Sequence, residues 1–497
     1  MKTKKFTILH SNDMHGDFQA EVQGKEGRLI GGLARLSGYI NKVRSEEENV
    51  LYVISGDMVQ GSLIDSEYKG ISTIEIMNYL APDARACTLG NHEFDYGLPH
   101  LLFLEKMANF PIVNANLYIR KYNKRLMRPH LVLSKAGFDI LFTGVITEKV
   151  LDSIRQDKLI SSFVTLEEAS TEVGRITNAY KSDDIDLTIL LTHIGYDSDL
   201  ELARLLKPEW GVDIIIGGHS HTVLEKPTLE NNIIIVQAGV GTDQIGRLDV
   251  AVDDETNSVV EYKWSLIPID ERLAEPDKQL QDYIASFQLA VDRKYKAVLC
   301  KLSQKHTHPQ REVETSLGNL VSDAFAETAE CDVILLGSGS IRTTEFGPLV
   351  TLSDLLACFP YNDILTRYTI GGDKLRQIFT HIMRPENRNG EGECYQVNSR
   401  MRAVFNDETR QLISLRVDDQ EVQDQQPYRV CMQGYHSGNS QKNLNITSDE
   451  LQASGKTKVV STSSREVLEE YLRNHQNIAR TVEGRLTYQN HQQPPPI

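Results

Sequence analysis

The chain has 497 residues, too many for one hydrophobic core, and this length predicts two or three domains. Its net charge is −16, from 53 basic and 69 acidic residues. That balance argues against a nucleic-acid polymer or an anionic membrane as the main partner, because both attract basic surfaces. A small phosphorylated substrate fits the charge, since a metal ion or a few arginines can supply local positive charge.

The cysteines and the N-terminal segment indicate a compartment. The six cysteines are far apart and form no CxxC pair, which predicts reduced, mostly buried thiols. The apolar run Phe6–Leu9 is too short for a secretory signal. No apolar stretch approaches the ~20 residues of a membrane-spanning helix. We therefore expect a cytoplasmic protein without a membrane partner; the sequence does not indicate an oligomeric state.

The first half of the chain alternates short apolar segments with helical patterns, which predicts an α/β domain. The predicted strands are Phe6–His10, Val50–Ile54, Ala84–Leu89, Pro111–Asn116, Asp139–Ile146, Asp186–Leu191, Val212–Ile216, Ile233–Gly239, Arg247–Val252 and Ser258–Ile267. The predicted helices are Gly31–Arg44, Ile71–Leu80, Leu98–Met107 and Leu166–Tyr180.

Five of the predicted strands end in polar blocks. These blocks carry Asp13 and His15; Asp57; Asn91, His92 and Asp95; His193; and His219 and His221. A single block would fit a polar turn, but open α/β sheets place their sites at the carboxyl ends of strands. Together, the carboxylate and amide oxygens and the imidazoles suffice for two metal ions of the zinc, manganese or iron type.

The second half of the chain predicts a smaller α+β domain. The helical pattern Pro276–Ala297 is expected to connect the two domains, with boundaries at 1–272, 273–298 and 299–488. Residues 489–497 include three prolines and predict a disordered tail. The other predicted elements are helices over Leu317–Glu327, Thr351–Leu356, Gly372–Met383 and Glu466–Arg473, and strands over Val333–Leu336, Val397–Phe405 and Leu412–Val417.

The ordered motifs Asp-x-His, Gly-Asp-x-x-x-Gly-Ser, Gly-Asn-His-Glu-Phe-Asp, Thr-His and Gly-Gly-His-Ser-His resemble those of the calcineurin-like metallophosphoesterases. More narrowly, the chain resembles the 5′-nucleotidase / 2′,3′-cyclic phosphodiesterase family. The resemblance implies a four-layer αββα sandwich, a 5′-nucleotidase-type substrate domain and two divalent metal ions, with Mn, Zn, Fe and Co as candidates.

The resemblance also implies a role for each site residue. Asp13, His15, Asp57 and His221 would hold one metal ion, and Asp57, Asn91, His193 and His219 the other, with Asp57 bridging. His92 and Asp95 would form a catalytic dyad. Two such metal ions can lower the pKa of a shared water and so generate a hydroxide that attacks phosphorus. His92 would stabilise the phosphoryl oxygens or protonate the leaving alkoxide.

In the family, arginines of the C-terminal domain hold the substrate and two aromatic rings sandwich its base. Arg311 and Arg342 match the arginine positions, although a surface salt bridge is the alternative for each. Tyr435 fills the second ring position. Cys394 stands at the first, with Tyr395 beside it. Two further departures, Gly337 in place of Asn and the 437–441 loop in place of Gly-Gly-Asp-Gly, also concern base recognition and leave the metal chemistry untouched.

The function favoured by these features is a metal-dependent phosphohydrolase acting on 5′-nucleotides or related small phosphorylated metabolites. Two alternatives stay open. The same centre would serve a 2′,3′-cyclic nucleotide phosphodiesterase or a pyrophosphatase of UDP-sugars or dinucleotides. The other alternative is a non-catalytic ligand-binding protein, against which the complete set of motif residues argues.

Overall fold

The computed structural model describes residues 3–23, 27–80, 85–119, 122, 124–135, 137–146, 160–161, 165–389, 392–453 and 455–490. The chain divides into two compact units, Met1–Val291 and Asp292–Ile497. The helix Lys278–Tyr295 crosses this division and lies within the predicted connecting segment. The finer domain boundaries inferred from the sequence stay predictions.

The first unit contains two large sheets, each with a run of adjacent parallel strands. In spatial order, the first sheet consists of Ser258–Pro268, Gln244–Asp253, Thr3–Ser11, Val50–Ser55 and Arg85–Thr88. The second consists of Thr228–Glu230, Ile233–Val236, Ile214–Ile216, Ile185–His193, Phe138–Ile146 and His130–Lys135. The three last strands of the first sheet run parallel, as do the four central strands of the second. Their carboxyl ends carry the five polar blocks.

The two sheets share one buried core, and helices cover their outer faces. Ile8 of the first sheet and Ile189 of the second belong to this shared core. Leu190 follows Ile189 along the strand and lies in a different core with residues of the helices Leu166–Ala179 and Tyr196–Leu205. Because successive side chains of a strand point to opposite faces, the second sheet is buried on both sides.

On the other side, the helix Leu33–Glu46 contacts the strand Val50–Ser55. Its buried residues include Leu36, Ile40 and Val43, at the spacing of one helical face. The layers are therefore helix, sheet, sheet and helix, which confirms the predicted fold class. The remaining helices of this unit are Leu63–Tyr68, Ile71–Leu80 and Leu98–Met107, and its short strands are Ala20–Gln23, Arg28–Gly31, Tyr118–Ile119, Lys124–Arg125 and Ile160–Ser161.

The strand predicted over Pro111–Asn116 is wrong. This segment forms only isolated bridges, at Ile112 and Val113. The physical reason is that successive backbone N–H groups bond to three different neighbours: Val113 to Cys87, Asn114 to Arg128 and Ala115 to Gly144. The segment therefore forms no continuous ladder with any one of the described strands.

A buried acid lies behind the strand end that carries His193. Asp199, in the helix Tyr196–Leu205, is fully buried. The Thr192 hydroxyl donates a hydrogen bond of 2.6 Å to its Oδ1, and its Oδ2 has no hydrogen-bond partner among the described residues. Burial raises the pKa of Asp199 from 3.8 to about 8. The acid is therefore protonated in the folded protein at neutral pH.

We expect Asp199→Asn to change how stability depends on pH. The raised pKa of Asp199 means that its stabilising contribution is complete below about pH 4 and is lost as the pH approaches 8. Asparagine is neutral throughout. The free energy of unfolding of the variant minus that of the wild type should therefore rise by roughly 4–5 kcal/mol between pH 4 and 8. Urea unfolding in EDTA across this range measures the difference, and a constant difference would contradict the expectation.

The second unit contains two main sheets and two pairs of short strands among its described residues. The larger consists of Tyr395–Gln396, Val333–Gly337, Pro427–Gln433, Leu365–Gly371 and Lys458–Ser461. Its faces belong to two separate cores, because Leu335 lies in one and the adjacent Leu336 in the other. The second sheet consists of Gln420–Glu421, Gln411–Val417, Met401–Asn406 and Leu486–Gln489.

The helices of the second unit confirm the α+β prediction. They are Ser316–Ala329, Leu352–Cys358, Gly372–Ile382, Pro385–Arg388, Gly434–Gly438, Ser440–Leu444, Ser448–Ala453 and Ser464–Asn474, with short strands at Val298–Lys301, His306–Thr307, Glu345–Phe346 and Leu349–Thr351. Of the predicted disordered tail 489–497, Gln489 ends a strand and residues 491–497 lie outside the described residues.

The prediction of reduced, mostly buried thiols is confirmed. All six cysteines are free thiols: Cys87, Cys300, Cys331, Cys358 and Cys431 are buried, and Cys394 is half-buried. In the described part of the chain, every helix is too short or too polar to span a lipid bilayer.

Candidate metal centre and substrate cavity

The polar blocks after the strands of the two sheets form three overlapping groups of metal-binding side chains. In each group the three ligand atoms lie within 4.8 Å of one another. The groups are Asp13 with His15 and His221; His15 with Asp57 and His92; and Asp57 with His193 and His219. Tertiary structure thus gathers residues from distant parts of the chain, Asp13 to His221, into one place.

Five of the predicted ligands have an unusual backbone conformation. Their φ angles are 50° for Asp13, 49° for His15, 51° for Asp57, 78° for His219 and 53° for His221. Side chains with a Cβ rarely adopt this left-handed region, at a cost of ~1–3 kcal/mol each. Such strain concentrates at functional sites, where the surrounding structure imposes it. The backbone therefore marks these residues independently of their chemistry.

The side chains of the first group, Asp13 with His15 and His221, lie close together in the more exposed part of the site. His15 Nε2 lies 3.1 Å from His221 Nε2, and His221 Nε2 lies 3.5 Å from Asp13 Oδ1. The other ring nitrogen of His15 lies 3.1 Å from the Gln60 carbonyl and can donate to it. This leaves His15 Nε2 as the lone-pair nitrogen that a metal needs.

The third group, Asp57 with His193 and His219, is more deeply buried. His193 Nε2 lies 3.0 Å from Asp57 Oδ2, and its Nδ1 lies 2.7 Å from the Ser55 carbonyl, which fixes the ring orientation. Burial opposes the charged form of His193, but the carboxylate of Asp57 outweighs it and raises the pKa of His193 to about 9. A metal would displace that proton. Asn91 Oδ1 lies 2.8 Å from His219 Nδ1 and so joins this group.

Asp57 belongs to two of the three groups, one with His15 and one with His193. Its Oδ2 lies 3.0 Å from His193 Nε2 and 4.0 Å from His15 Nε2. Burial opposes its charge, but His193 beside it outweighs the burial and lowers the pKa of Asp57 to about 2. Gly90 allows this arrangement, because a Cβ there would lie 2.1 Å from Asp57 Oδ1.

His92 and Asp95 form the predicted pair. His92 Nδ1 lies 2.7 Å from Asp95 Oδ2, and this hydrogen bond raises the pKa of His92 against the opposing effect of partial burial. The His92 ring is half-exposed and 5.1 Å from the His15 ring, centroid to centroid. Its backbone N–H donates to Asp57 Oδ1 at 2.9 Å. His92 thus faces the site with one nitrogen already held by Asp95.

A cavity of about 650 Å³ in the second unit contains three of the four predicted substrate-binding residues. Its wall includes Arg311, Arg342 and Tyr435. Neither arginine forms a salt bridge with a described residue, in contrast to the surface ion pairs of Arg400 and Arg416. The predicted alternative of a salt bridge therefore finds no support among the described residues. The Arg342 guanidinium lies over the ring of Tyr361, 5.9 Å from its centroid, and both residues line the cavity.

Tyr395 lies behind this cavity rather than on its wall. It is 4% exposed, and its hydroxyl forms a hydrogen bond of 3.0 Å with His436 Nδ1. A Cβ at Gly337 would lie 2.0 Å from His436 Nε2, so the glycine makes room for this ring. The predicted substrate contact of Tyr395 would have to be indirect, through His436. The ring that the cavity presents at the predicted positions is Tyr435, which is 60% exposed.

Comparison with known proteins bears on both units. The family models for calcineurin-like phosphoesterase and for the 5′-nucleotidase C-terminal domain match residues 6–223 and 296–447. A 5′-nucleotidase-related protein of Glossina morsitans morsitans is 30% identical over 445 residues, which are 80% of this chain and 78% of the relative. The chain belongs to the 5′-nucleotidase family of calcineurin-like phosphoesterases.

Other members of this family show the same likeness. The trifunctional nucleotide phosphoesterase protein YfkN of Bacillus subtilis is 28% identical over 438 residues, or 79% of this chain and 28% of that protein. The crystal structure of the 5′-nucleotidase precursor from Thermus thermophilus matches with a TM-score of 0.58 and 23% identity, covering 98% of this chain and 100% of the other. The chain is therefore a phosphoesterase of this family, whose calcineurin-like members use divalent metal ions.

Sequence reasoning missed two carboxylates that support the site. Glu93 accepts hydrogen bonds from the backbone N–H groups of Asp57 and Gly90. Asp65 accepts hydrogen bonds from the Gln60 N–H and from the Tyr96 hydroxyl, each at 2.8 Å. Glu93 stands inside the Gly90–Gly97 motif, but nothing in a single sequence distinguishes a buried acceptor from a solvated acid.

Proposed function

We propose that this protein hydrolyses the phosphate monoester of 5′-nucleotides at a centre of two divalent metal ions. The observation that carries the proposal is the position of Asp57. It alone among the described residues belongs to a group with His15 and to a group with His193 and His219. A carboxylate shared by two clusters of ligands is the arrangement that a dinuclear centre requires.

The donor set fits these ions. Asp13, His15, Asp57 and His221 would hold one, and Asp57, Asn91, His193 and His219 the other. Imidazole, carboxylate and amide donors suit Mn²⁺, Zn²⁺, Fe and Co²⁺ without selecting one of them. When bound, such a pair supplies charge stabilisation to the phosphoryl group and a nucleophilic hydroxide at neutral pH.

His92 acts on the substrate rather than on the metal ions in this proposal. Asp95 holds His92 Nδ1 at 2.7 Å and favours the protonated ring, which leaves Nε2–H to donate. That donor can hydrogen-bond a phosphoryl oxygen or pass its proton to the leaving alkoxide. Asp95 thereby sets both the orientation and the charge of the ring.

The cavity of the second unit would recognise the nucleoside part of the substrate. Arg311 and Arg342 offer planar donors for oxygen atoms, and the exposed ring of Tyr435 offers a stacking surface. The alternatives are a 2′,3′-cyclic phosphodiesterase and a UDP-sugar or dinucleotide pyrophosphatase. Because the chain is similar to a trifunctional nucleotide phosphoesterase, the substrates of both alternatives belong in the activity assay.

The test is a substrate panel on protein freed of metal with EDTA and then reloaded with Mn²⁺ or Zn²⁺. We expect activity to require the metal and to be highest with 5′-mononucleotides. The panel includes 2′,3′-cyclic nucleotides, UDP-sugars and dinucleotides. Full activity after EDTA treatment would overturn the metal centre, and no release of phosphate from any 5′-mononucleotide would overturn the substrate.

We expect Arg311→Ala to raise KM for the nucleotide by ~10–100-fold with little change in kcat. The reason is the loss of a hydrogen bond to a charged group, worth about 1.5–3 kcal/mol, at a cavity outside the metal centre. Steady-state kinetics on 5′-mononucleotides measure it. Arg416→Ala is the matched control, because Arg416 pairs with Glu421 outside this cavity. A fall in kcat at unchanged KM would contradict the recognition role.

The predicted cytoplasmic location is part of this proposal. Its support is the set of free cysteines, which suits a reducing compartment. Cell fractionation followed by immunodetection tests it, and recovery of the protein outside the cytoplasmic fraction would contradict it.

A further inference from the structure

The carboxylate of Glu93 is buried and accepts hydrogen bonds from four backbone N–H groups. The proposed function gives this residue no role. Its side chain is 2% exposed and sits in the short 3₁₀ turn His92–Phe94. Its Oε2 accepts from the N–H groups of Asp57 and Gly90, at 3.0 and 2.6 Å. Its Oε1 accepts from the N–H of Met58 at 2.7 Å and, more weakly, from that of Val59 at 3.4 Å. A single carboxylate thus satisfies a whole set of buried donors.

These donors belong to two different loops of the site. Asp57, Met58 and Val59 follow the strand Val50–Ser55, whereas Gly90 follows the neighbouring parallel strand Arg85–Thr88. The first loop carries Asp57 and the second carries Asn91. Glu93 therefore connects the loop of one predicted metal ligand to the loop of another through both of its oxygens.

We propose that Glu93 is a positioning residue that sets the spacing between Asp57 and Asn91 and thereby the affinity of the site for its metal ions. This inference rests on the proposed metal centre. The physical reason is that a buried N–H without an acceptor is costly, at about 1–3 kcal/mol each. The two loops are therefore held at the separation at which Glu93 can accept hydrogen bonds from both of them.

The side chain at this position must be an acceptor at both oxygens. In Glu93→Gln, the amide oxygen can serve one pair of donors, but the NH₂ group then faces the other pair and repels it. The volume of the side chain is unchanged, so core packing is preserved. The variant thus alters the link between the loops without removing a metal ligand.

The experiment measures Mn²⁺ binding alone, without substrate. Equilibrium dialysis with metal analysis should show Mn²⁺ binding ~10–100-fold more weakly in Glu93→Gln, the range typical of residues that orient metal ligands. Electron paramagnetic resonance should show less of the spin-coupled pair of Mn²⁺ ions. Circular dichroism and thermal unfolding in EDTA establish that the metal-free variant is folded. A residue that only stabilises the fold would lower the unfolding temperature and leave the spin coupling of the bound ions unchanged.

Glu172→Gln is the matched control. Glu172 is also a buried glutamate of the first unit, where it accepts hydrogen bonds from Tyr118 and Arg125. This variant should lose stability and keep the Mn²⁺ affinity of the wild type. Equal loss of affinity in both variants would overturn the proposal, because the effect would then follow from stability.

The remaining outcomes also decide the matter. A folded Glu93→Gln protein with wild-type Mn²⁺ affinity overturns the positioning role. If that variant does not fold, Glu93→Asp replaces it, because it keeps the carboxyl group but is one methylene too short to reach both loops. Failure of both variants to fold would assign Glu93 to the fold as a whole and contradict the proposal. Absence of Mn²⁺ binding in the wild type would instead overturn the proposed metal centre, and the role of Glu93 with it.

Discussion

Asp57→Asn is expected to lower kcat for phosphate-monoester hydrolysis by at least ~10³-fold and to reduce the bound metal. Asp57 Oδ2 is close to ligands of both groups, at 3.0 Å from His193 Nε2 and 4.0 Å from His15 Nε2. An amide has one good acceptor oxygen and no charge, so it cannot bridge two cations. The lost charge stabilisation is worth several kcal/mol, and ~10³-fold in rate corresponds to about 4 kcal/mol.

The measurement combines steady-state kinetics at saturating Mn²⁺ with metal analysis of the purified variant. Asp249→Asn is a suitable control, because Asp249 lies in the same unit and accepts a hydrogen bond from the Thr7 hydroxyl, outside the three ligand groups. It should keep both its metal and its activity. Unchanged activity in Asp57→Asn would remove the dinuclear mechanism.

The second large effect is expected for His92→Ala, with kcat lowered by ~10²–10⁴-fold and the metal content retained. Asp95 occupies His92 Nδ1, and Nε2 is the donor that the substrate would meet. Removing the ring takes away a proton donor and leaves Asp57, Asn91 and the other ligands in place. The same kinetic and metal assays test both parts of this expectation.

The structure makes the metal assay decisive for His92. Its ring belongs to a group with His15 and Asp57, so proximity alone would also allow it to be a ligand. Loss of metal together with activity would assign His92 to that role and contradict the dyad. His100→Ala provides the control, because this half-buried histidine of the same unit contacts the Lys69 carbonyl outside the site. It should leave kcat and metal content unchanged.

Much of the first unit could be predicted because its strands and helices are strongly patterned. The helix predicted over Leu98–Met107 is observed with the same bounds, and the strands before Asp13 and Asp57 lie where the apolar runs indicate. The error at Pro111–Asn116 has a non-local cause. The backbone N–H groups of this segment bond to Cys87, Arg128 and Gly144, and apolar patterning carries no information about such distant partners.

In the second unit, the sequence predicts the arginines of the cavity but not which of the predicted tyrosines lines it. Arg311 and Arg342, which are predicted from their motif positions, line one cavity. Tyr395 stands beside Cys394 at the start of the short strand Tyr395–Gln396, but its ring is buried against His436. Which face an aromatic ring takes depends on the neighbouring strands and not on the motif.

The sequence by itself determined the chemistry of this protein, because the identities and order of its polar blocks, Asp13 to His221, specify the donors and the family. Only the tertiary structure decided how those donors are shared. Packing two sheets through one core brings strand ends from distant parts of the chain together and leaves Asp57 between two groups of imidazoles. The same packing buries Glu93 where two loops present their N–H groups. Distances between such residues arise from the whole fold, and no local pattern encodes them.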